Sequence, residues 1–528
     1  MPTMTRRSWK TPGAAHSNFI QLQDKSRMWL REEADLTLRH LSEIYHRLNC
    51  FAIISRLPVE LLLKIFAYVF EASNTHNLSG INITHVCRHW RAVALGAPTL
   101  WSCIIPRSYP LVAEYLRRAE NIPLKLQWHH AHKPPAISFD TLEKYTSRIA
   151  SVDMSVPANF VYEFTLLFIR PWLKLEYLSL QSTYDPSRPL QVPVVDFRSF
   201  DQRPPQNLRF LRLDGVAPGS WNHHPSVYRG LRALHLLHHY DGDLAPSMDQ
   251  FLRVLESCAV LEDLKMVASG PRLPLNASCY PKVLRKVTME RLSTLVLACL
   301  RGGDVAFLLA HLIIPESTHV HLHQIATFTF QSTSGIACCL PPDHSGLRFL
   351  DGMSRVEVKM DKDGVILRAF HEPHEERTEP CLRIVVRDYQ KEFSGIAVSS
   401  TLFQLGSTFQ HSPLTTLSLT LPLFLVKSLD SWRRILSSLS TVTTLIVQLT
   451  PNDYTVALKM FLEALTIFPT PSVTVLPKLT SLHLLQLPRT ELMASKEHIK
   501  QCAGSRRAAM GGCSAFRLVI NGSVRRLS

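Results

Sequence analysis

The chain has 528 residues, 46% of them hydrophobic and 19% charged, a balance that excludes disorder over most of its length. That is too long for one ordinary compact core, so either several domains or a repeat array is expected. The net charge of +15 favours acidic partners by long-range attraction. No zinc-finger spacing, RNP motif or basic helix accompanies it, so nucleic acid is not expected as the partner.

Eleven cysteines, scattered and without a CxxC pair, read as reduced, intracellular usage, cytoplasmic or nuclear. Arg6, Arg7 and Lys10 stand in an N-terminus without an apolar core, which does not fit a secretory signal. The longest apolar run, from Val305 to Ile314, is too short to cross a bilayer and contains His311, so no membrane span is expected.

In chain order, residues 1–22 read as a flexible basic tail and 23–50 as a helix, strongest from Asp24 to Leu48. Its apolar set Leu30, Ala34, Leu38, Leu41, Tyr45 and Leu48 steps by four and three residues, a seam of under three heptads. The main expectation is that this seam packs on the helices that follow; a homodimeric coiled coil is the lesser reading, and a homo-oligomer is not expected.

Residues 51–105 carry the strongest signal. Leu57-Pro58-Val59-Glu60-Leu61 opens a helix running to about Phe70, with Pro58 in the first turn, where its missing N–H costs nothing. Glu60, Lys64, Tyr68 and Glu71 form one narrow polar stripe, and the rest is apolar, more than a single buried face requires. A second helix places Ile83, Val86, Cys87, Trp90, Val93 and Ala94 at helical spacing, with His85, Arg88, His89 and Arg91 towards solvent. Two such helices bury too little surface to cover the first on both sides, so its uncovered side is expected to meet another protein.

From 106 to 490 the chain repeats apolar-x-x-apolar-x-apolar, a period-2 strand signature. Examples are Ile149-Val152-Met154, Leu175-Leu178-Leu180, Leu208-Leu211-Leu213, Leu231-Leu234-Leu236, Leu261-Leu264-Met266 and Leu292-Leu295-Leu297. Further copies are centred on Val356, Leu417, Leu445 and Leu482, and helical stretches such as Met248 to Cys258, Asp304 to Leu312 and Ser431 to Leu439 lie between copies. Alternating strand and helix units, none able to cover its own apolar face, stack into an α/β solenoid with a curved parallel sheet. Near 355–370, Val356 to Met360 and Val365 to Phe370 flank an Asp-Gly turn and read as a β-hairpin insert. Residues 491–528, with seven Lys or Arg against Glu491 and Glu497, read as a basic C-terminal cap or tail.

Two resemblances rest on these residues. Leu57-Pro58-x-Glu60-(x)4-Ile65-Phe66, Val86-Cys87-Arg88-x-Trp90-Arg91 and Pro98-x-Leu100-Trp101 resemble the F-box, particularly the F-box-like proteins of mushroom-forming fungi. The strand triads resemble leucine-rich repeats, but without the usual asparagine after the last Leu, as in Leu213-Asp214-Gly215-Val216. The first resemblance implies docking to a Skp-type adaptor, and through it to a cullin, in a ubiquitin ligase. Leu57, Pro58, Leu61, Ile65, Phe66 and Trp90 are the candidate adaptor-contact or motif-core residues. In L-x-x-L-x-L repeats the residues flanking the second Leu line the exposed strand face. Tyr177, Phe210, Arg212, His235 and Lys265 are therefore the candidate contacts to an unknown protein target, since aromatic and basic side chains concentrate binding energy.

No phosphate loop, G-x-S-x-G elbow or H-E-x-x-H motif is present, so no catalytic residue, cofactor or metal is assigned. His319, His321 and His323 alternate along a strand and share a face, yet they lack a fourth zinc ligand in sequence. Cys87 beside Arg88 is expected on the apolar helix face, packed rather than reactive.

Overall fold

A computed structural model describes residues 13–528 except 73–78, 131–133, 183–191, 201–203, 220, 222–224, 239–243, 272–284, 301, 326–335, 363, 372–378, 388–393, 451–454, 468–474, 510–515 and 525–528. The chain divides into two units, Met1–Ile122 and Pro123–Ser528. Residues 106–122, with their helix, fall within the first of these units.

The first unit is helical. Helix α1 runs Gly13–Cys50, starting well upstream of Asp24 and entering the segment read as a tail. Helix α2 spans Val59–Glu71, α3 Arg88–Leu95 and α4 Tyr109–Arg118. Pro58 is the N-cap of α2, and its carbonyl accepts from the Leu61 and Leu62 N–H groups at 3.0 and 3.1 Å. Leu62, Phe66 and Phe70 form the buried stripe, four residues apart. Phe66 meets Trp90 with ring centroids 5.0 Å apart, Phe70 meets Trp101 at 5.5 Å, and Trp101 meets Tyr115 at 5.0 Å. The Trp101 indole donates to the Ala94 carbonyl at 2.8 Å, so the buried ring leaves no polar atom unpaired.

Two expectations fail in this unit. The second helix is not continuous: Cys87 takes an extended backbone (φ −157, ψ 169), and its sulfur accepts from the Trp90 N–H at 3.4 Å as the N-cap of α3. That break resets the helical phase, so Val86, expected inside, is exposed, and Cys87 is half-buried at a cap rather than packed on an apolar face. The α1 seam is also not covered by the helix pair. Leu30, Leu38, Leu41, Tyr45 and Leu48 are all exposed, and α1 is held to the pair through Arg88, which donates to Glu43 and Ser42 at 2.9 Å.

The second unit is built on one large sheet. Its strands are β1 Leu124–His129, β2 Ile149–Val156, β3 Tyr177–Ser182, β4 Phe210–Asp214, β5 Ala233–Leu237, β6 Asp263–Val267, β7 Thr294–Leu300 and β8 His319–Ile325. These lie side by side in chain order, all parallel. Then come β9 Arg355–Asp361, β10 Gly364–Phe370, β11 Leu382–Arg387, β12 Thr416–Thr420, β13 Thr444–Gln448, β14 Ser481–Leu485 and β15 Arg517–Ile520.

Register keeps the repeated triads in line. Leu178, Leu211, Leu234, Leu264, Leu295, Val320 and Leu382 are successive partners across the sheet, and each has 0% exposure. Each such side chain contributes about 1.5–3 kcal/mol of burial. The ladder explains why a triad weak in any one copy is sufficient in an array. Helices occupy the intervals, including α5 Ala158–Thr165, α6 Met248–Ser257, α7 Gly302–Ala310, α8 Ser394–Thr408, α9 Leu429–Ser437, α10 Thr455–Leu465 and α11 Lys496–Ala509. Helix α6 begins with a capping box: the Ser247 hydroxyl accepts from the Gln250 N–H at 3.2 Å, and the Gln250 side chain accepts from the Ser247 N–H at 2.7 Å.

The hairpin is a rearrangement of strand order as well as an insert. Strand β8 pairs with β11, β11 with β10, β10 with β9, and β9 with β12. Only β10 runs antiparallel in that stretch, so the chain skips two places, folds back, and resumes the parallel direction. Gly364 makes this possible: its φ is +153, and a Cβ there would sit 2.0 Å from the Val386 carbonyl oxygen. Asp363 of the expected Asp-Gly turn lies outside the described residues.

The described part of residues 491–528 holds helix and strand. Helix α11 leads to β15, which pairs in parallel with β14. Arg506 on α11 is buried and donates to the Leu465, Leu476 and Val475 carbonyls at 2.8, 2.8 and 2.6 Å. One guanidinium thereby reaches three backbone acceptors at the end of α10 and in the turn before β14, of which Leu476 also accepts from the Leu479 N–H at 3.1 Å.

Candidate functional site

Two surfaces emerge, one in each unit. On α2, the stripe opposite Leu62, Phe66 and Phe70 carries Leu61, Ile65 and Tyr68, with exposures of 45%, 39% and 74%. Pro58 and Val59 are exposed beside it, and Leu57 is half-buried. The turn that leads in, Ile53–Arg56, has no buried residue, and Ile53 and Ile54 add to the same apolar segment. The six candidate residues thus separate by role. Leu61, Ile65 and Pro58 face outward, Phe66 is core, and Leu57 and Trp90 are intermediate. Of the hydrophobic stripes on the two sides of this thirteen-residue helix, one satisfies the fold and the other stays exposed.

The edges of this unit are held by charge. Glu114 accepts from Arg117 and Arg118, and these guanidinium groups hold its carboxyl at about 2. Arg118 also lies 4.8 Å above the Trp101 ring. Burial pushes the Tyr115 hydroxyl up to about 12, so that ring is a neutral core member at any ordinary pH.

In the second unit, the side chains between the buried Leu positions form an ordered row on the opposite strand face. Tyr177 and Phe210, register partners on β3 and β4, stack with centroids 4.2 Å apart and planes within 5°. Phe210 meets His235 edge-on at 5.0 Å, and the His235 imidazole bonds to the Asp263 carboxylate at 2.7 Å. Arg212 donates to Asp214 at 2.8 Å, and Asp214 also bonds His238 at 2.7 Å. Lys265 is the register partner of His235 and is half-buried. All five candidate contacts are therefore drawn together across β3 to β6.

Asp153, Asp214, His238 and Asp263 complete the row. Burial raises the Tyr177 hydroxyl, and the Asp153 charge adds to that shift. Asp214 occupies the position after the last Leu, where the repeat pattern would have asparagine; it is 5% exposed and bridges Arg212 to His238. The signal for it was that departure from the pattern. The following Gly215 has φ +62, and a Cβ would lie 3.0 Å from the Ser182 carbonyl oxygen.

Further along the same face, His319, His321 and His323 alternate with buried Val320 and Leu322 on β8. Burial, reinforced by Arg383, lowers the protonation of His321 and His323 below the usual imidazole range. Among the described residues no group of three His, Cys, Asp or Glu is arranged to hold a metal ion. His132, His223, His224 and His239 lie outside the described residues. Buried thiols are held protonated: Cys258 is pushed up to about 12 and Cys502 to about 11 by burial. No described helix is long and apolar enough to cross a membrane.

The family model for F-box-like domains matches residues 54–107. The chain therefore carries an F-box-like domain, a protein-interaction module, and the match begins at the Ile54 turn and ends just beyond the Trp101 core. No curated protein matched the chain.

Proposed function

We propose that this protein is the substrate-recognition subunit of a cullin-RING ubiquitin ligase, non-catalytic in itself. The F-box-like domain docks a Skp-type adaptor, through it a cullin, and the strand-rich unit presents a target protein. The observation that carries the reading is the outward stripe on α2, Leu61 and Ile65, within the segment that matches the F-box-like model. In this reading Leu57, Pro58, Leu61 and Ile65 meet the adaptor, while Phe66 and Trp90 hold the fold. The second unit is then a degenerate leucine-rich-repeat solenoid, supported by the in-register triads and the alternation of strand and helix. Its Tyr177, Phe210, Arg212, His235 and Lys265 form the target surface. Holding target lysines beside a ubiquitin-loaded enzyme raises their effective concentration without chemistry in this chain.

Co-expression with a Skp-type adaptor tests it. The wild type is expected to co-elute with the adaptor, and Leu61→Asp with Ile65→Asp to lose it while keeping the thermal transition of the unbound chain. Failure of the wild type to co-elute would overturn the ligase reading. Retention by the double variant would place the adaptor elsewhere.

A further inference from the structure

Over residues 24–50, whose side chains are described, helix α1 is fixed to its own unit by one face only. From residue 24 to 50, only Glu43 and His46 are half-buried, and Glu43 and Ser42 receive Arg88. Those three positions fall within about 100° of one another on the helix. The opposite face carries Leu30, Ala34, Thr37, Leu41, Ile44 and Leu48, spaced alternately by four and three residues. All six are exposed, Leu41 at 44% and Ile44 at 43% being the least so. The spacing is that of a two-stranded seam. Thr37 suits it, because its hydroxyl already donates to the Glu33 carbonyl at 2.9 Å, leaving its methyl group for contact.

We propose that this seam is the dimerisation surface of the protein and that its occupant is the same helix of a second copy, running antiparallel. One register satisfies the whole seam. Aligning Thr37 with Leu41 of the second copy also aligns Ala34 with Ile44 and Leu30 with Leu48, so small side chains meet large ones at two of the three layers. The same register sets Glu33 beside Arg47 on one flank, twice by symmetry. Arg47 is 78% exposed and, among the described residues, makes only a long 3.5 Å pair with Glu43, so it can turn to the new partner. On the other flank Arg31 comes beside the Tyr45 ring, a cation against an aromatic face. A parallel pairing has none of this: it opposes Thr37 to Thr37 and Arg27 to Arg27, and sets Glu33 beside Leu38. Complementary charge and side-chain size thus select both the partner and its direction.

The seam is short, so association is expected to be reversible and to depend on concentration. Sedimentation equilibrium on the full chain, from roughly 1 to 100 μM, is expected to show a monomer–dimer equilibrium. Leu41→Asp should leave only monomer with an unchanged thermal transition. Glu33→Arg should weaken association roughly three- to ten-fold, Arg47→Glu similarly, and the double exchange should restore it. For direction, Ala34→Cys with Ile44→Cys in a Cys50→Ser background should form an interchain disulfide on mild oxidation. Along one helix those two positions are about 15 Å apart and cannot bridge within a chain. A monomer across the whole range, or a double charge exchange that does not recover association, overturns the proposal. So does a covalent dimer formed by Ala34→Cys alone in the same background, which marks a parallel pair.

Discussion

The two units treat their apolar side chains in opposite ways. Among the described residues, eighteen large hydrophobic side chains are exposed in the first unit and nine in the second, although the second is more than three times as long. In the strand unit each repeat covers its neighbour, so an apolar triad is consumed by the array. In the helical unit, α2 has apolar stripes on two sides and buries one, and the described side chains of α1 bury none. The difference teaches what each unit leaves exposed: α1 and α2 present apolar side chains, while the strand face of β3 to β6 presents an aromatic and charged row.

Substitution can sharpen that contrast. Phe66→Ala opens a cavity against Trp90 and should cost roughly 3–5 kcal/mol, read as a collapse of the helical unit's thermal transition. Leu61→Ala with Ile65→Ala, on the same helix, should change stability by no more than about 0.5 kcal/mol yet weaken adaptor binding at least roughly ten-fold. If both variants unfold alike, α2 does not have an inner and an outer face. In the strand unit, Arg506→Ala removes the guanidinium donor from the Leu465 and Val475 carbonyls and one of two donors from Leu476, and should cost roughly 3 kcal/mol, seen as early loss of hydrogen-exchange protection at β14 and β15.

A smaller effect tests the aromatic row. Phe210→Ala removes the partner of Tyr177 and His235 and should cost on the order of 1 kcal/mol in chemical denaturation, while removing target capture if the row is the target surface. Smallest is a pH effect. His321 and His323 have lowered protonation in the fold, so the unfolded chain takes up protons first as pH falls. Their contribution is fully present above about 6.5 and is lost below it. The thermal midpoint should decline between roughly pH 6.5 and 5, with a shallower slope in His321→Gln with His323→Gln. An unchanged slope would assign the decline to other imidazoles, such as His344 and His483, which burial also lowers.

Much of this was legible in the chain itself. The triads gave the strands because period-2 alternation has one physical reading when repeated, and α6 and α9 lie close to their expected spans. The row of flanking side chains on β3 to β6 was legible too, since flanking positions are fixed once the triad is placed. What was missed has identifiable causes. Cys87 reads as a helical apolar residue, but its sulfur serves as a cap, and the phase of everything before it shifts. Asp214 stands out in the sequence only as a departure from the repeat pattern; its role shows once His238 is brought to it from 24 positions away, beside Arg212 two positions back on β4. The order β8, β11, β10, β9 has no local signature, because register between distant strands depends on which edge is free when the chain returns.

By itself the sequence determined periodicity: which side chains alternate on strands, which recur on helices, and that two helical faces are more apolar than one core needs. The tertiary structure decided which of those faces is consumed. Leu62 and Phe66 are buried while Leu61 and Ile65 stay outside, and the α1 seam remains open because Arg88 takes hold of the opposite face. Periodicity is a property of one element, whereas burial needs a second surface, and only the folded chain supplies or withholds it.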